Sequence, residues 1–306
     1  LSFFVIIPLL MLGALWAAGN INQVRGVMVV GSSLLLALSV YLTIDYLALR
    51  QAGETAEMLY TASTSWYAPL HICYSVGVDG ISVAMLLLSS IIVFTGTFAS
   101  WQLKPMTKEY FLWFTLLSAG VFGFFISTDL FTMFMFYEVA LIPMYLLIGV
   151  WGSGQKEYAA MKLTLMLMGG SAFLLIGILG IFYGAGGDTM NLLDIAQRHI
   201  PTEMQELFFP LIFLGFGVLG ALFPFHTWSP DGHASAPTAV SMLHAGVLMK
   251  LGGYGCFRVA MYLMPEGAEM WGNFFLVLTT ISVVYGAFSA VVQTDLKYIN
   301  AYSSVS

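Results

Sequence analysis

The sequence predicts an all-α polytopic membrane protein, and three observations predict it. Of 306 residues, 59% are hydrophobic and only 8% charged, and the mean hydropathy is +0.88, outside the range of soluble domains. Apolar runs of about 20 residues, enough to span a hydrocarbon core at 1.5 Å per helical residue, recur from end to end. The short alternation of apolar and polar residues that marks a closed β-barrel does not occur. Other classes are set aside by the same composition. No basic stripe points to nucleic acid, and the formal charge of −6 says little of a chain that mostly avoids water. Cys73 and Cys256 have no metal-ligand spacing and make no disulfide framework.

In chain order, the first run, "LSFFVIIPLLMLGALWAA" (1–18), lacks a basic n-region and an A-x-A site, so it is a span and not a signal peptide. The second, 26–49, carries Asp45 near its outer end, where an interfacial place suits it better than a functional one. Residues 50–80, with the aromatic and β-branched "SWYAPLHICYSVGVDG", suggest a short hairpin. Spans follow at 81–103, 110–127, 129–152 and 159–184. Residues 188–206, "DTMNLLDIAQRHIPTEMQE", read as an amphipathic interfacial helix ended by Pro201. Spans at 207–228 and 238–262 flank a polar interruption, and 271–292 is the ninth. The closing "DLKYINAYSSVS" has the pattern of a tenth span cut off, and Leu1 stands where an initiator Met would, so a fragment is expected.

The basic residues suggest an orientation. Arg25, Lys104, Lys108, Lys156 and Lys297 fall in loops of one side; Arg50 and Arg198, with Arg258 near that end of its helix, fall on the other. This asymmetry places the N-terminus outside a bacterial inner (plasma) membrane. No separate soluble domain and no low-complexity tract interrupts the chain.

An ionisable group at the bilayer centre costs roughly 3 kcal/mol even on insertion scales, so each one is a functional candidate. Glu138 lies mid-span in "FYEVALIPMYLLIGVWG" and Lys250 mid-span in "HAGVLMKLGGYG", both too deep to snorkel. For these two a structural ion pair is the plain alternative. Lys162, in the first turn of its span, can equally snorkel to the interface or serve transport. Pro143 leaves the Val139 carbonyl without a helical donor next to Glu138. Gly246 and Gly253 share the face of Lys250 and leave room for water or for tight packing. Out of water, acids and amines approach one another in acidity, and protons can then pass near neutral pH.

The interruption "FPFHTWSPDGHASAPTAVSMLHAGVLMK" (223–250) concentrates Pro224, Pro230, Pro237, His226, His233 and His244. Pro224 is expected to free the Gly220 carbonyl within a helix, and "SPDGHASAP" joins two spans in too few residues for a soluble loop. Irregular backbone at such depth belongs in protein or beside a wet cavity, as in the broken helices of transporters. His226 and His233 can pass protons or cap helix ends. His244, six residues before Lys250 and so about 120° around the helix, can relay protons or simply donate a hydrogen bond.

"FYEVALIPMYLLIGVWG", "FPFHTWSPDGHASAPTAVSMLHAGVLMKLGGYGCFR" and "DLKYINAYSSVS" resemble the antiporter-like membrane subunits of respiratory NADH:quinone oxidoreductase, complex I, and within them chain M (chain 4). The "H-x-x-AP-T" pattern followed by "LMKLGGYG" separates it from the paralogous chains and from cation/proton antiporter subunits. The resemblance covers essentially the whole chain. It implies an antiporter-like fold of about fourteen helices in two inverted five-helix repeats, each with a broken helix. Residues 1–109 would then hold spans one to three, 110–262 the first repeat, and 263–306 the start of a truncated second. The family's central glutamate matches Glu138 and its span-eight lysine matches Lys250. The family's lysine seven residues before the histidine of "HTW" falls on Leu219, so Glu138 lacks its expected partner, for which His244 or Lys162 are the substitutes at hand.

The function so implied is proton translocation by a non-redox subunit of an oxidoreductase, coupled to distant quinone reduction. No cofactor is expected in this subunit; NADH, FMN, iron–sulfur clusters and quinone would lie elsewhere in the complex. Its partners would be the paralogous antiporter-like chains and the lipid bilayer. Two alternatives stand beside it: a structural module with weakened pumping, and a subunit of a related antiporter or membrane-bound hydrogenase.

Overall fold

The computed structural model describes residues 1–306 as a helical membrane protein. Seven helices are long and apolar enough to cross a bilayer: α2 (Ile21–Gln51), α3 (Gly80–Ala99), α4 (Thr107–Ile126), α5 (Leu130–Trp151), α6 (Lys156–Gly184), α8 (Thr202–Leu219) and α12 (Pro265–Val292). The other two expected spans are present in different form. The first, α1 (Phe3–Ala17), has 15 residues, and the eighth is divided. It comprises α10 (Thr238–Leu243), a π-helical turn at His244–Leu248, α11 (Met249–Gly255) and a second π turn at Cys256–Met261. π turns widen the coil by one residue and commonly sit at functional positions.

Helix α4 forms the hub. It is hydrophobic on every side, 78% of its apolar window is buried, and it packs against α1, α3 and α5. Phe124 and Phe125 on it meet Tyr254 of the eighth span edge-on, with ring centroids 6.0 and 5.5 Å away. Small residues set the crossings: a Cβ on Gly120 would stand 2.9 Å from the Ala140 amide nitrogen of α5.

The expected hairpin forms as β1 (Leu59–Tyr67) and β2 (Ile72–Val78), antiparallel with Ser63 opposite Ser75. Its turn needs His71 in the left-handed region, φ 52°. β2 is its buried strand. Asp129, fully buried at the N-cap of α5, accepts from the Cys73 amide (3.1 Å) and the Thr132 amide (2.9 Å), so one carboxylate fastens strand and helix. Asp45, two turns before the end of α2, accepts from the Tyr60 hydroxyl of β1.

Two local expectations need correction. The interfacial helix over 188–206 shrinks to five residues, α7 (Leu192–Ala196). Residues before it are taken into a bridge between Asp129 and Asn191, with Leu130 N donating to Met190 O and Leu192 N to Thr128 O. Pro201 starts α8 and does not end a long surface helix, in keeping with the fit of proline to helix N-termini. The seventh span ends at Leu219, so Pro224 is not inside a helix and frees no carbonyl there. The chain turns through Ala221 (φ 58°) and a cis Phe223–Pro224 bond before α9 (Trp228–Ser235).

The basic residues segregate at two ends. Arg25 donates to Trp101 O (2.6 Å), Lys108 to Trp16 O and Ala18 O (both 2.8 Å), and Lys297 to Ala234 O (3.1 Å). The opposite end holds Arg50, Arg198 and Arg258 with the hairpin and α7.

Candidate functional site

The site is built on the break between α8 and α9. Trp228, in the first turn of α9, donates from Nε1 to Val218 O at 3.0 Å, a last-turn carbonyl of α8 that also accepts from the Ala221 amide at 3.1 Å. Pro230 falls in the same first turn, where no helical donor is lost, and Pro237 precedes α10. At the far end of α9, Lys297 from α13 (Leu296–Val305) donates to Ala234 O and Ala236 O, where a cation suits the helix dipole. The break is thus a fixed feature, stapled at both ends.

Lys162 meets Asp231 of α9 at 2.7 Å, with side chains 24% and 27% exposed. Because α6 begins at Lys156, Lys162 lies well beyond the first turn, deeper than expected. Its partner is neither lipid headgroup nor Glu138. The Tyr298 hydroxyl donates to the other Asp231 oxygen at 3.4 Å, and the Tyr158 ring centroid lies 5.6 Å from the Lys162 Nζ. Asp231 and Tyr158 line a polar cavity of about 360 Å³ between the α5–α6 turn, α9 and α13.

Glu138 sits mid-way along α5, which continues unbroken through Pro143. Its Oε1 is buried without a hydrogen-bond partner. Ser171, on the facing α6, donates to Met168 O at 3.0 Å. Leu219 is 1% exposed and lines a closed gap of about 10 Å³ together with Tyr137, Leu163, Leu167, Trp228 and His244. That volume is at the threshold for one water, and eight of nine lining residues are hydrophobic, so the gap stays dry.

His244 lines the same gap and His233 packs against it, whereas His226 lies apart, against Phe223 and Tyr285. His233 Nδ1 and Ser241 Oγ are 2.6 Å apart, linking α9 to α10, while its Nε2 has no partner. His244 is buried with both ring nitrogens unpartnered, its centroid 4.6 Å from His233 and 5.2 Å from Trp228. His226, 5% exposed, lies edge-on to Tyr285 of α12 (4.9 Å) with Nδ1 unpartnered. None of their rings makes a helix-capping bond.

Lys250 is exposed and curls back to Ala245 O at 2.6 Å, a carbonyl within the π turn. It lines a cavity of about 630 Å³ between α8, the eighth span and α12. Of its two flanking glycines, Gly246 is packed on Ile92 and Gly253 faces open space. The four ion pairs of the chain include neither Glu138 nor Lys250. The structure therefore gathers Lys162 with the break, and His226, His233 and His244 around it, and keeps Glu138 and Lys250 apart. No three His, Cys, Asp or Glu side chains converge as metal ligands.

Asp231 escaped the sequence reading although it stands within "SPDGH". The signal available was a carboxylate in a connection too short to reach water freely. The Arg258 contacts to Asp79 and Glu57, which tie the eighth span to α3 and the hairpin, carried no sequence signal.

The family described as NADH:quinone oxidoreductase/Mrp antiporter, TM, matches residues 127–306. NAD(P)H-quinone oxidoreductase chain 4 3 of Picosynechococcus sp. is 39% identical over 254 residues, covering 83% of this chain and 46% of that protein. NADH-quinone oxidoreductase subunit M of Rhodobacter capsulatus is 35% identical over 260 residues, covering 81% and 50%. The chain spans about half the length of the curated relatives it matches. In fold it matches a chain of respiratory complex I from Thermus thermophilus with a TM-score of 0.88 at 24% identity, over 99% of this chain and 62% of that one. A chain of the Mrp complex from Dietzia sp. gives 0.82 at 21% identity, over 99% and 56%.

Proposed function

The chain belongs to the NADH:quinone oxidoreductase/Mrp antiporter, TM family, and from that premise we propose that it is the chain M (chain 4) type of membrane subunit in an NADH:quinone oxidoreductase. It moves protons across the membrane and holds no redox centre of its own. Quinone reduction elsewhere in the complex drives it, and its neighbours are paralogous antiporter-like chains. Residues 110–262 form one five-helix repeat in this reading and 263–306 begin the next. In this reading the end where the basic residues concentrate faces the cytoplasm and the N-terminus lies outside, which the positive-inside bias supports.

The observation that carries the proposal is Glu138, a carboxyl group in the middle of a membrane helix with a buried, unpartnered oxygen. A group left so costs stability, and a cost of that kind marks a functional position. It acts as the gated proton site, and Lys250, beside its π turns and the large cavity, as the relay onward. Glu138→Gln keeps the shape and removes the acid. The expected outcome is an assembled complex in which this subunit moves no protons; unchanged translocation would sink the reading.

A second reading is favoured by Leu219. Where the family carries a lysine there is a buried leucine beside a dry gap, as in a structural module whose pump has weakened. It differs in outcome: Glu138→Gln would then leave the protons moved per electron unaltered.

A further inference from the structure

The cations at the two membrane ends are held differently. At the end that carries the hairpin, Arg198 pairs with Asp188, and Arg258 with Asp79 and Glu57. At the other end Arg25, Lys104 and Lys108 take part in none of the four ion pairs of the chain. Arg25 and Lys108 are fixed by backbone carbonyls, which orient a cation without cancelling its charge. Glu109, next to Lys108 in sequence, is exposed and pairs with neither. This contrast holds whether or not the chain moves protons.

The connection between α3 and α4 brings the three cations together. The Arg25 guanidinium lies 4.9 Å from the centroid of the Trp101 ring, and its Nη2 donates to Trp101 O at 2.6 Å, while its Nε has no partner. Lys108, in the first turn of α4, gives two of its three N–H groups to Trp16 O and Ala18 O at the end of α1. Only Gly19 and Asn20 separate Ala18 from α2, which carries Arg25 in its second turn. Lys104 is exposed and stands in the connection between Trp101 and Lys108. Large apolar side chains flank them: Trp16 is 79% exposed, and Phe98, stacked on Trp101, is 47% exposed. Rings beside cations at the ends of spanning helices belong at the level of lipid headgroups.

We propose that Arg25, Lys104 and Lys108 seat the headgroup of an anionic phospholipid, with Trp16 and Phe98 against its acyl chains. The phosphodiester accepts from the N–H that Lys108 has left and from Arg25 Nη1, and Lys104 adds a third charge from the same connection. Basic pockets between transmembrane helices take such headgroups. An acidic protein segment matches the charge alone; a lipid matches both the charge and the apolar side chains beside it. The seat is formed in advance, because carbonyls already hold two of its three cations in place.

The test uses the full-length chain in its assembled complex, reconstituted in phosphatidylcholine vesicles with a small, sub-saturating fraction of a photoactivatable lipid. The probe is phosphatidylglycerol or, for comparison, phosphatidylcholine with the same acyl chains, and labelled peptides are mapped by mass spectrometry. Phosphatidylglycerol is expected to label residues 13–25 and 98–108 more strongly than phosphatidylcholine does. Lys104→Gln should lower that labelling about fivefold, the equivalent of about 1 kcal/mol per basic residue near an anionic surface. Arg25→Gln should lower it as well, and Arg25→Lys should keep more of it than Arg25→Gln. Lys104 is an exposed side chain in a connection, so its variant reports on the seat even if Arg25→Gln assembles poorly. Equal labelling by the two probes, or parental labelling in Lys104→Gln, overturns the proposal. Displacement of the probe by excess inorganic phosphate also overturns it and makes a soluble anion the ligand. If these residues take no lipid and crosslink to another chain of the complex, the surface is a protein interface and the proposal falls.

Discussion

The Lys162 ammonium and the Asp231 carboxylate meet at 2.7 Å and join the second turn of α6 to the broken seventh span. Neither group has another charged partner. The contact joins α6, at 29 residues longer than α4, α5 and α8, to the break that follows α8. It adds to the contacts that hold α9 against α6, the helix packed on the α5 of Glu138.

The exposure of this pair sets its energetic weight. Side chains 24% and 27% exposed are screened, so a double-mutant cycle with Lys162→Gln and Asp231→Asn, read by thermal unfolding of the solubilised complex, should return a coupling of about 1 kcal/mol or less. A coupling above about 3 kcal/mol would place the pair among buried structural ones.

Two adjacent glycines of α11 should behave oppositely. A Cβ on Gly252 would enter the Gly220 amide and the Phe216 carbonyl, backbone atoms at the end of α8 that cannot swing away. Gly252→Ala is expected to cost about 1–3 kcal/mol and to disturb the seat of the break. Gly253 has nothing within 4 Å, so Gly253→Ala should be neutral or stabilising by up to about 1 kcal/mol through helix propensity. Equal effects from the two would contradict the crossing described.

Arg258, 13% exposed, joins the eighth span to Asp79, the cap of α3, and reaches Glu57 before the hairpin at 3.3 Å. Asp79 also accepts from the Ser82 amide at 2.7 Å, so it is held in place and cannot turn to water when the guanidinium is removed. Arg258→Ala should destabilise by about 3 kcal/mol and expose residues 59–78 to protease. A hairpin as resistant as in the parent protein would show that strand packing suffices.

These contacts mark where sequence reasoning stopped. Glu138 and Lys250 were legible because a charge within an apolar run is costly wherever the helix packs. The break was legible because Pro224, Pro230 and Pro237 crowd a stretch too short for a loop. The partner of Lys162 was not, since a 69-residue separation is closed only by tertiary packing. The π turns around Lys250 were hidden too, for they add one residue per turn without altering hydrophobic spacing enough to show. The shortened α7 has the same origin: its preceding residues found partners at Asp129 and Thr128, far away in sequence.

Outside the membrane, the Arg198 guanidinium hydrogen-bonded to Asp188 holds that carboxyl below the usual range. A carboxyl lowered on folding adds stability above its unfolded value of about pH 4, and this is lost as pH falls through the lower folded value. Arg198 also donates to Ala185 O (2.9 Å), so the loop after α6 should loosen as the pair breaks. Backbone hydrogen exchange over 185–198 should rise below pH 4 beyond the intrinsic trend in the parent protein. Arg198→Gln should remove that excess; an unchanged profile would detach the loop from the pair.

The sharpest contrast concerns Leu219. A lysine there would enter a gap of about 10 Å³ beside Tyr137 and His244, one helix from the unpartnered Glu138 oxygen. An ammonium in that place survives only with a counter-ion, and Glu138, the residue that follows Tyr137 on α5, is the candidate. Leu219→Lys should therefore assemble, whereas Leu219→Lys with Glu138→Gln should be less stable than either single variant by about 3 kcal/mol, the cost of a buried charge without its partner. Should protons pass by a relay that needs no lysine here, Leu219→Lys leaves the protons moved per electron at the parent value. A rise in that ratio would instead mean that the leucine had weakened the pump, and that the structural reading of this subunit is the right one.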